Sequence, residues 1–187
     1  MSLFTALWPP EEAIRDLAAA VDRLRSARPK LEADVAAGLR GFRFVSPRRW
    51  HVTLCFHGDD ADEQRLGTRM DQRIPGLSRD QAPRLRLAGA GTFRGVLWVG
   101  VEAREEADAT SLHALVRAAG GDPRSFHGHL TVVRWGAGEP NRTELRRLFE
   151  QYQGPWWSPE EVALVRSDRE SGVAVYRTVH RVSLGAR

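Results

Sequence analysis

A single cysteine, Cys55, leaves no partner for an internal disulfide and suits a reducing compartment. Lysine is equally scarce: Lys30 stands alone, so nearly all of the 28 basic residues are arginines. That lysine lies in no glycine-rich phosphate loop, which argues against an ATP-dependent ligase or kinase. The chain has no His-Glu-x-x-His and no paired cysteines, so the common zinc signatures are missing. No apolar run approaches the roughly 18 residues of a membrane span. Met1 to Pro10 also lacks the basic and long apolar regions of a secretion signal. The expectation is a cytoplasmic protein with no membrane partner.

What is present fits one domain over residues 1–187, or one domain built of two similar lobes. The length allows a sizeable core, and 42% hydrophobic residues is ordinary for a globular chain. The formal net charge is +4. Guanidinium forks match phosphate oxygens, so the arginine excess fits phosphate recognition. It fits a genomic preference for arginine equally well, because the charges are scattered rather than clustered.

Residues 3–8 read as a strand closed by Pro9-Pro10. Glu11 and Glu12 then suit the first turn of a helix carrying Ile14, Leu17, Val21 and Leu24 at helical spacing. Residues 26–41 read as a connector, and 42–45 as a short strand stopped by Ser46-Pro47. An acidic start at Asp59-Asp60 predicts a helix running to Pro75-Gly76. Leu85 and Leu87 alternate with Arg84 and Arg86 as in a strand, Gly89-Ala90-Gly91 reads as a bend between strands, and 96–101 as a buried strand. Leu112, Leu115, Val116 and Ala119 mark another helix. Asn141 with Glu144 resembles a capping box opening a helix with Leu145, Leu148 and Phe149. Strands at 161–167 and 173–184 finish the chain. This order, run through about twice, predicts an α+β fold: two lobes of mostly antiparallel sheet with outer helices, and a His-Thr strand (within residues 50–56 and 126–134) in each.

Two stretches stand out. Trp50-His51-Val52-Thr53-Leu54-Cys55-Phe56 is a short apolar strand, and its pattern returns 78 residues later in Phe126-His127-Gly128-His129-Leu130-Thr131-Val132-Val133-Arg134. Residues i and i+2 of a strand share a face, so His51 projects with Thr53, and His129 with Thr131. Val52, Leu54 and Phe56 face the other way, as do Leu130 and Val132. A lone histidine in such a strand is more often structural; two matched His-Thr pairs favour function. Across a phosphate, two imidazoles of ordinary pKa near 6.5 offer one neutral and one protonated ring, a base for water and an acid for the leaving oxygen. The hydroxyls can hold the non-bridging oxygens, where charge grows in the transition state.

Arg134 is a candidate phosphate clamp, although strict alternation from His129 puts it on the opposite face unless a bulge or the strand's end turns it inward. His127 shares the face of His129 and is a candidate cleft residue. Cys55 reads as a small buried filler. Trp50, Phe44 and Tyr176 are candidates for stacking a terminal base, set against the core role aromatics usually take in strands. His57, His113 and His180 read as surface or structural.

On these motifs the sequence resembles the 2H phosphoesterase superfamily, and within it the RNA 2′,3′-cyclic phosphodiesterases, long called bacterial 2′-5′ RNA ligases. His51-Val52-Thr53-Leu54 and His129-Leu130-Thr131-Val132 match its two signatures. Leu3-Phe4, Leu7, Trp50, Phe56, Gly58, Gly91, Phe93, the run from Leu97 to Val101, Arg134, Val165-Arg166-Ser167 and the stretch from Gly172 to Tyr176 are similar to its flanking pattern. Three features depart from it. His57 replaces an aliphatic residue, Gly128 stands where a proline commonly precedes the second histidine and is expected to loosen that strand, and the 26–41 connector is long. The resemblance implies a bilobal fold with a pseudo-twofold axis around a central cleft. It implies metal-independent, cofactor-free opening of a terminal 2′,3′-cyclic phosphate on RNA to a 2′-phosphate, with ATP-independent 2′-5′ joining as the reverse-type reaction. It makes His51 the proton donor to the departing 3′ oxygen, His129 the acceptor that activates water, and Thr53 and Thr131 the holders of phosphate oxygens. The implied partner is RNA ending in a 2′,3′-cyclic phosphate, bound by a monomer with no protein partner.

Three rival readings fit the same residues. A metal hydrolase would use His127, His129 and His51 as ligands, leaving the threonines unexplained. A non-catalytic module would only hold the RNA end, with no need for a matched acid and base. A related phosphodiesterase would act instead on an internal 2′-5′ linkage or a small cyclic nucleotide.

Overall fold

Alternating burial along the strands gives each of two antiparallel sheets one helix-covered side and one open side. The computed structural model describes residues 1–27, 39–74, 82–170 and 173–184. Among them, strands β1 (Ser2–Leu7), β3 (Val52–Gly58), β7 (Glu161–Glu170) and β8 (Val173–Ser183) form one sheet in the order β3-β1-β7-β8. Strands β2 (Arg43–Phe44), β4 (Leu85–Phe93), β5 (Val96–Ala103) and β6 (His129–Arg134) form the other, in the order β2-β6-β5-β4. The helices are α1 (Glu11–Ala27), α2 (Glu63–Arg73), α3 (Glu106–Ala118) and α4 (Arg142–Arg147). The α+β class and the outer helices expected from the sequence are what the fold has.

Each lobe carries one His-Thr strand, β3 in the first sheet and β6 in the second, but the lobes are not the two halves of the chain. β7 and β8 come last in the sequence yet complete the first sheet, where β7 pairs with β1 from Ser2↔Ser167 to Ala6↔Ala163. The helices cross over as well. α1 follows β1 but packs Leu17 and Val21 with Leu87, Leu97, Val99 and Leu130 of the second sheet. α3 follows β5 but packs Leu112, Leu115 and Val116 with Leu3, Leu54 and Leu164 of the first. Hydrophobic alternation says that a strand buries one face; it does not say which of two sheets supplies its neighbours.

Local expectations shift in smaller ways. α2 starts at Glu63 rather than Asp59 because the Asp62 side chain accepts the Arg65 amide at 3.0 Å and caps the helix there. Its expected end at Pro75-Gly76 lies outside the described residues, as do residues 28–38 of the expected connector and Gly172. Gly89-Ala90-Gly91 is no bend between strands. It lies inside β4, whose register skips Gly89 between Ala88 and Ala90, with Gly89 at a φ of 63°. Asn141 does cap α4, accepting the Glu144 amide at 3.2 Å, and Leu145 and Phe149 are buried behind it.

Candidate active site

The chain between β2 and β3 carries the first histidine from one sheet to the other. β2 lies along β6, with Arg43↔Arg134 and Phe44↔Val133 as partners. Val45 extends this pairing by donating its amide to the Val132 carbonyl at 2.9 Å. A 3₁₀ turn follows at Pro47–Arg49. Trp50 then buries its side chain in the core under the second sheet, while Val52 enters the core under the first. His51, between them, is held at the seam of the two lobes. There His51, Thr53, His129 and Thr131 line one small pocket of about 70 Å³, with Val45, Arg49, Arg134 and Tyr176 completing its walls.

The two imidazoles are held alike. His51 Nδ1 lies 2.8 Å from the Arg49 carbonyl oxygen, and His129 Nδ1 lies 2.7 Å from that of His127. A carbonyl oxygen only accepts, so each Nδ1 bears the hydrogen and donates it. In the neutral ring Nε2 is then left as the nitrogen free to take a proton. Both contacts run from a histidine to the residue two before it, and the 78-residue offset maps one onto the other.

Each His-Thr pair is followed by a bulge at the same relative position. The β1–β3 ladder passes from Ala6↔Thr53 to Thr5↔Cys55, skipping Leu54. The β5–β6 ladder passes from Trp98↔Thr131 to Leu97↔Val133, skipping Val132. A bulge resets which face the next residue takes. Val132 and Val133 are accordingly both buried, and Arg134 comes round to the pocket, against strict alternation from His129. In β3 the same device removes Cys55 from the catalytic face. Its Sγ lies 3.6 Å from His57 Nδ1, whose Nε2 is 3.3 Å from the buried Thr5 hydroxyl, so Cys55 is half-buried beside a polar group rather than a buried filler. Phe56, expected to face the core, is 65% exposed.

Aromatic rings enclose both histidines. Phe4 stacks on His51 at 4.8 Å, Tyr176 meets it edge-on at 5.2 Å, and Trp8 leans in at 5.4 Å. Phe93 meets His129 edge-on at 5.2 Å, with Trp98 at 6.1 Å. Burial therefore pushes the His51 pKa down to about 4, with the charges of Arg134, His129 and Arg49 adding to the effect against its backbone hydrogen bond. Burial lowers His129 too, and the neighbouring His127 and Arg134 charges act in the same direction. Both rings therefore hold a proton less readily than the ordinary imidazoles assumed from the sequence. Arg49 and Arg134 have no acidic partner among the described residues. Arg49 holds its guanidinium 5.0 Å from the Tyr176 ring with a buried, unbonded Nε. Two guanidiniums without an acidic partner, two hydroxyls and two imidazoles around one small pocket make a site suited to an anion.

The other expected residues are placed as follows. His127 is exposed and lies against Trp98 at 4.5 Å; it does not line the pocket, but its carbonyl orients His129. Trp50 is core and unavailable for stacking, and Phe44 packs edge-on against Phe42, whereas Tyr176 does reach the pocket. His113 is exposed, and His180 Nε2 contacts Asp71 of α2 at 2.8 Å. Gly128 does not loosen its strand: its carbonyl accepts the Val101 amide at 2.9 Å, and a Cβ there would come within 3.1 Å of Val101. Arg49 was missed in the sequence, where its position two before His51 is the one available signal. Among the described residues, no group of three or more His, Cys, Asp or Glu is placed to hold a metal ion, and no helix is long and apolar enough to cross a membrane.

The chain and its fold resemble known proteins. The family model of the 2′-5′ RNA ligase superfamily matches residues 9–171. The chain is 30% identical over 205 residues to a Thermus thermophilus protein named RNA 2′,3′-cyclic phosphodiesterase, covering 98% of this chain and 90% of the relative. A crystal structure of a Thermus thermophilus protein superposes with a TM-score of 0.65 at 28% identity over 100% of both chains. Apo E. coli LigT superposes with a TM-score of 0.63 at 20% identity, over 99% and 98% of the two chains, a likeness of fold.

Proposed function

Since the chain belongs to the 2′-5′ RNA ligase superfamily, we propose that it hydrolyses a terminal 2′,3′-cyclic phosphate of RNA to a 2′-phosphate, with His51 as general acid and His129 as general base. The observation that carries this reading is the matched pair of imidazoles, each with Nδ1 tied to a backbone carbonyl and Nε2 left to move a proton, in one pocket. His129 takes a proton from water as its oxygen bonds to phosphorus. The bond from phosphorus to the 3′ oxygen breaks, and His51 protonates that oxygen. Thr53 and Thr131 donate to the non-bridging oxygens, and Arg49 and Arg134 offset their charge. The phosphodiester anion has a second effect. It opposes the arginine charges that hold down the His51 pKa, so substrate binding favours the protonated acid that the free pocket disfavours. In 2′-5′ joining, an RNA 5′-hydroxyl replaces the water.

The test is incubation with an oligonucleotide ending in a 2′,3′-cyclic phosphate, with EDTA present, and identification of the product isomer. A 2′-phosphate is expected. A 3′-phosphate would keep the two-histidine chemistry but exchange the leaving oxygen. Activity only on adding a metal would favour a metal hydrolase, and no product under either condition would favour a module that merely holds the RNA end.

A further inference from the structure

Among the described residues, Met1, Phe56 and Phe93 are the exposed large hydrophobics. Single exposed apolar residues are ordinary; the surroundings of Phe93 are not. It ends β4 and is 42% exposed, yet its ring sits 5.2 Å from that of His129 and 5.4 Å from that of His127, both nearly perpendicular, and leans on Trp98 at 5.4 Å. The two sides of the pocket differ. On the His51 side the stacked ring is Phe4, which is buried; on the His129 side Phe93 and His127 are open to solvent.

An in-line displacement at phosphorus puts the entering and leaving oxygens on opposite sides. If His51 serves the 3′ oxygen, which stays on its own ribose, that nucleoside belongs to the His51 side with Tyr176. The oxygen served by His129 belongs to the other reactant. Water has no use for an aromatic surface; a nucleoside 5′-hydroxyl brings a base with it. We propose that Phe93 and His127 form a stacking platform for the base of a second nucleoside, the one whose 5′ oxygen enters or leaves at His129. This rests on the assignment of His51 and His129 above. Arg94, next in the chain, is exposed and has no acidic partner among the described residues, which suits the phosphate that follows that nucleoside. The pocket then acts on 2′-5′ phosphodiesters. The 3′-hydroxyl of the first nucleoside gives its proton to His51 and bonds to phosphorus. The bond to the 5′ oxygen breaks, and His129 protonates that oxygen. The products are a 2′,3′-cyclic phosphate and a free 5′-hydroxyl, and joining is the same step reversed.

The experiment measures kcat and KM of the full chain for two substrates, adenosine 2′,3′-cyclic phosphate and the 2′-5′-linked dinucleoside monophosphate of adenosine. The parent protein is expected to turn over both. Stacking on an aromatic side chain implies that Phe93→Ala raises the KM for the dinucleoside, relative to the KM for the cyclic nucleotide, by roughly tenfold. Phe93→Trp should restore the ratio, and an unchanged thermal midpoint would show that the variants fold. A structural disturbance of His129 would lower kcat on both substrates alike and leave the KM ratio unmoved, which overturns the proposal. An equal rise in both KM values would overturn it too, by giving the platform to the cyclic nucleotide's own base. Hydrolysis of the cyclic phosphate with an untouched dinucleoside would reject the second subsite and keep the proposed function. Inactivity on both substrates would remove the two readings together.

Discussion

His51 carries the sharpest consequences at the scale of single residues. Replacing His51 or His129 with Ala removes a general acid or base, so each variant should lose about 10²-fold or more in kcat when chemistry limits turnover. A near-full rate in either one refutes the two-histidine mechanism. Productive binding needs one ring protonated and one neutral, and burial lowers both pKa values, His51 to about 4. The profile of kcat/KM, which reports the free protein, should therefore peak below pH 6.5. The profile of kcat should lie at higher pH, because the bound phosphate anion favours the charged rings. Coincident profiles centred above 7 would contradict the electrostatics of the pocket. The same shift bears on folding. The unfolded chain takes up its His51 proton near pH 6.5 and the folded chain only near 4. Stability from this group is thus complete above 6.5 and falls as pH drops through that window, by up to about 3 kcal/mol. Urea unfolding at pH 7 and pH 4.5 should show a smaller difference for His51→Asn than for the parent, and an equal difference would remove His51 as the cause.

Secondary-structure elements set where these residues can point, and here the paired bulges decide the site. Gly91 of β4 lies directly under Trp98, and a Cβ at position 91 would fall inside the indole. Gly91→Ala should cost about 1–3 kcal/mol through overpacking. It should also lower activity, since the displaced Trp98 leans on both His127 and His129. A variant as stable and as active as the parent would show that Trp98 moves freely. Period-two patterning made the His-Thr strands, their shared faces and most helices legible in the sequence. A bulge leaves no such mark. Val132-Val133 reads as two ordinary strand residues, yet the residue skipped there turns Arg134 into the pocket. Arg49 was illegible for a related reason: it projects from a turn, where no periodicity assigns a face. The lowered imidazole pKa values depend on rings from β1, β4, β5 and β8, a gathering that no local stretch of sequence displays.

For the molecule as a whole, the crossing of elements between sheets ties the two lobes together. α1 supplies Leu17 and Val21 to the second lobe's core while Ala13, one turn earlier, packs in the first. The Tyr152 hydroxyl, beyond α4, donates to Asp16 of α1 at 2.6 Å, and burial with that carboxylate pushes the phenol's pKa up. The last two strands close the first sheet only after the second has been completed in sequence. Neither lobe can lose its core without exposing apolar surface of an element the other needs, so the two should unfold as one cooperative unit. Leu17→Ala probes this, because Leu17 is fully buried against the second sheet. The truncation should cost about 2–5 kcal/mol. Amide exchange in β1 and β7 of the first sheet should accelerate by the same factor as in β5 and β6 of the second. Acceleration confined to β5 and β6 would show lobes that open separately, with a pocket that exists only while they happen to be closed on each other.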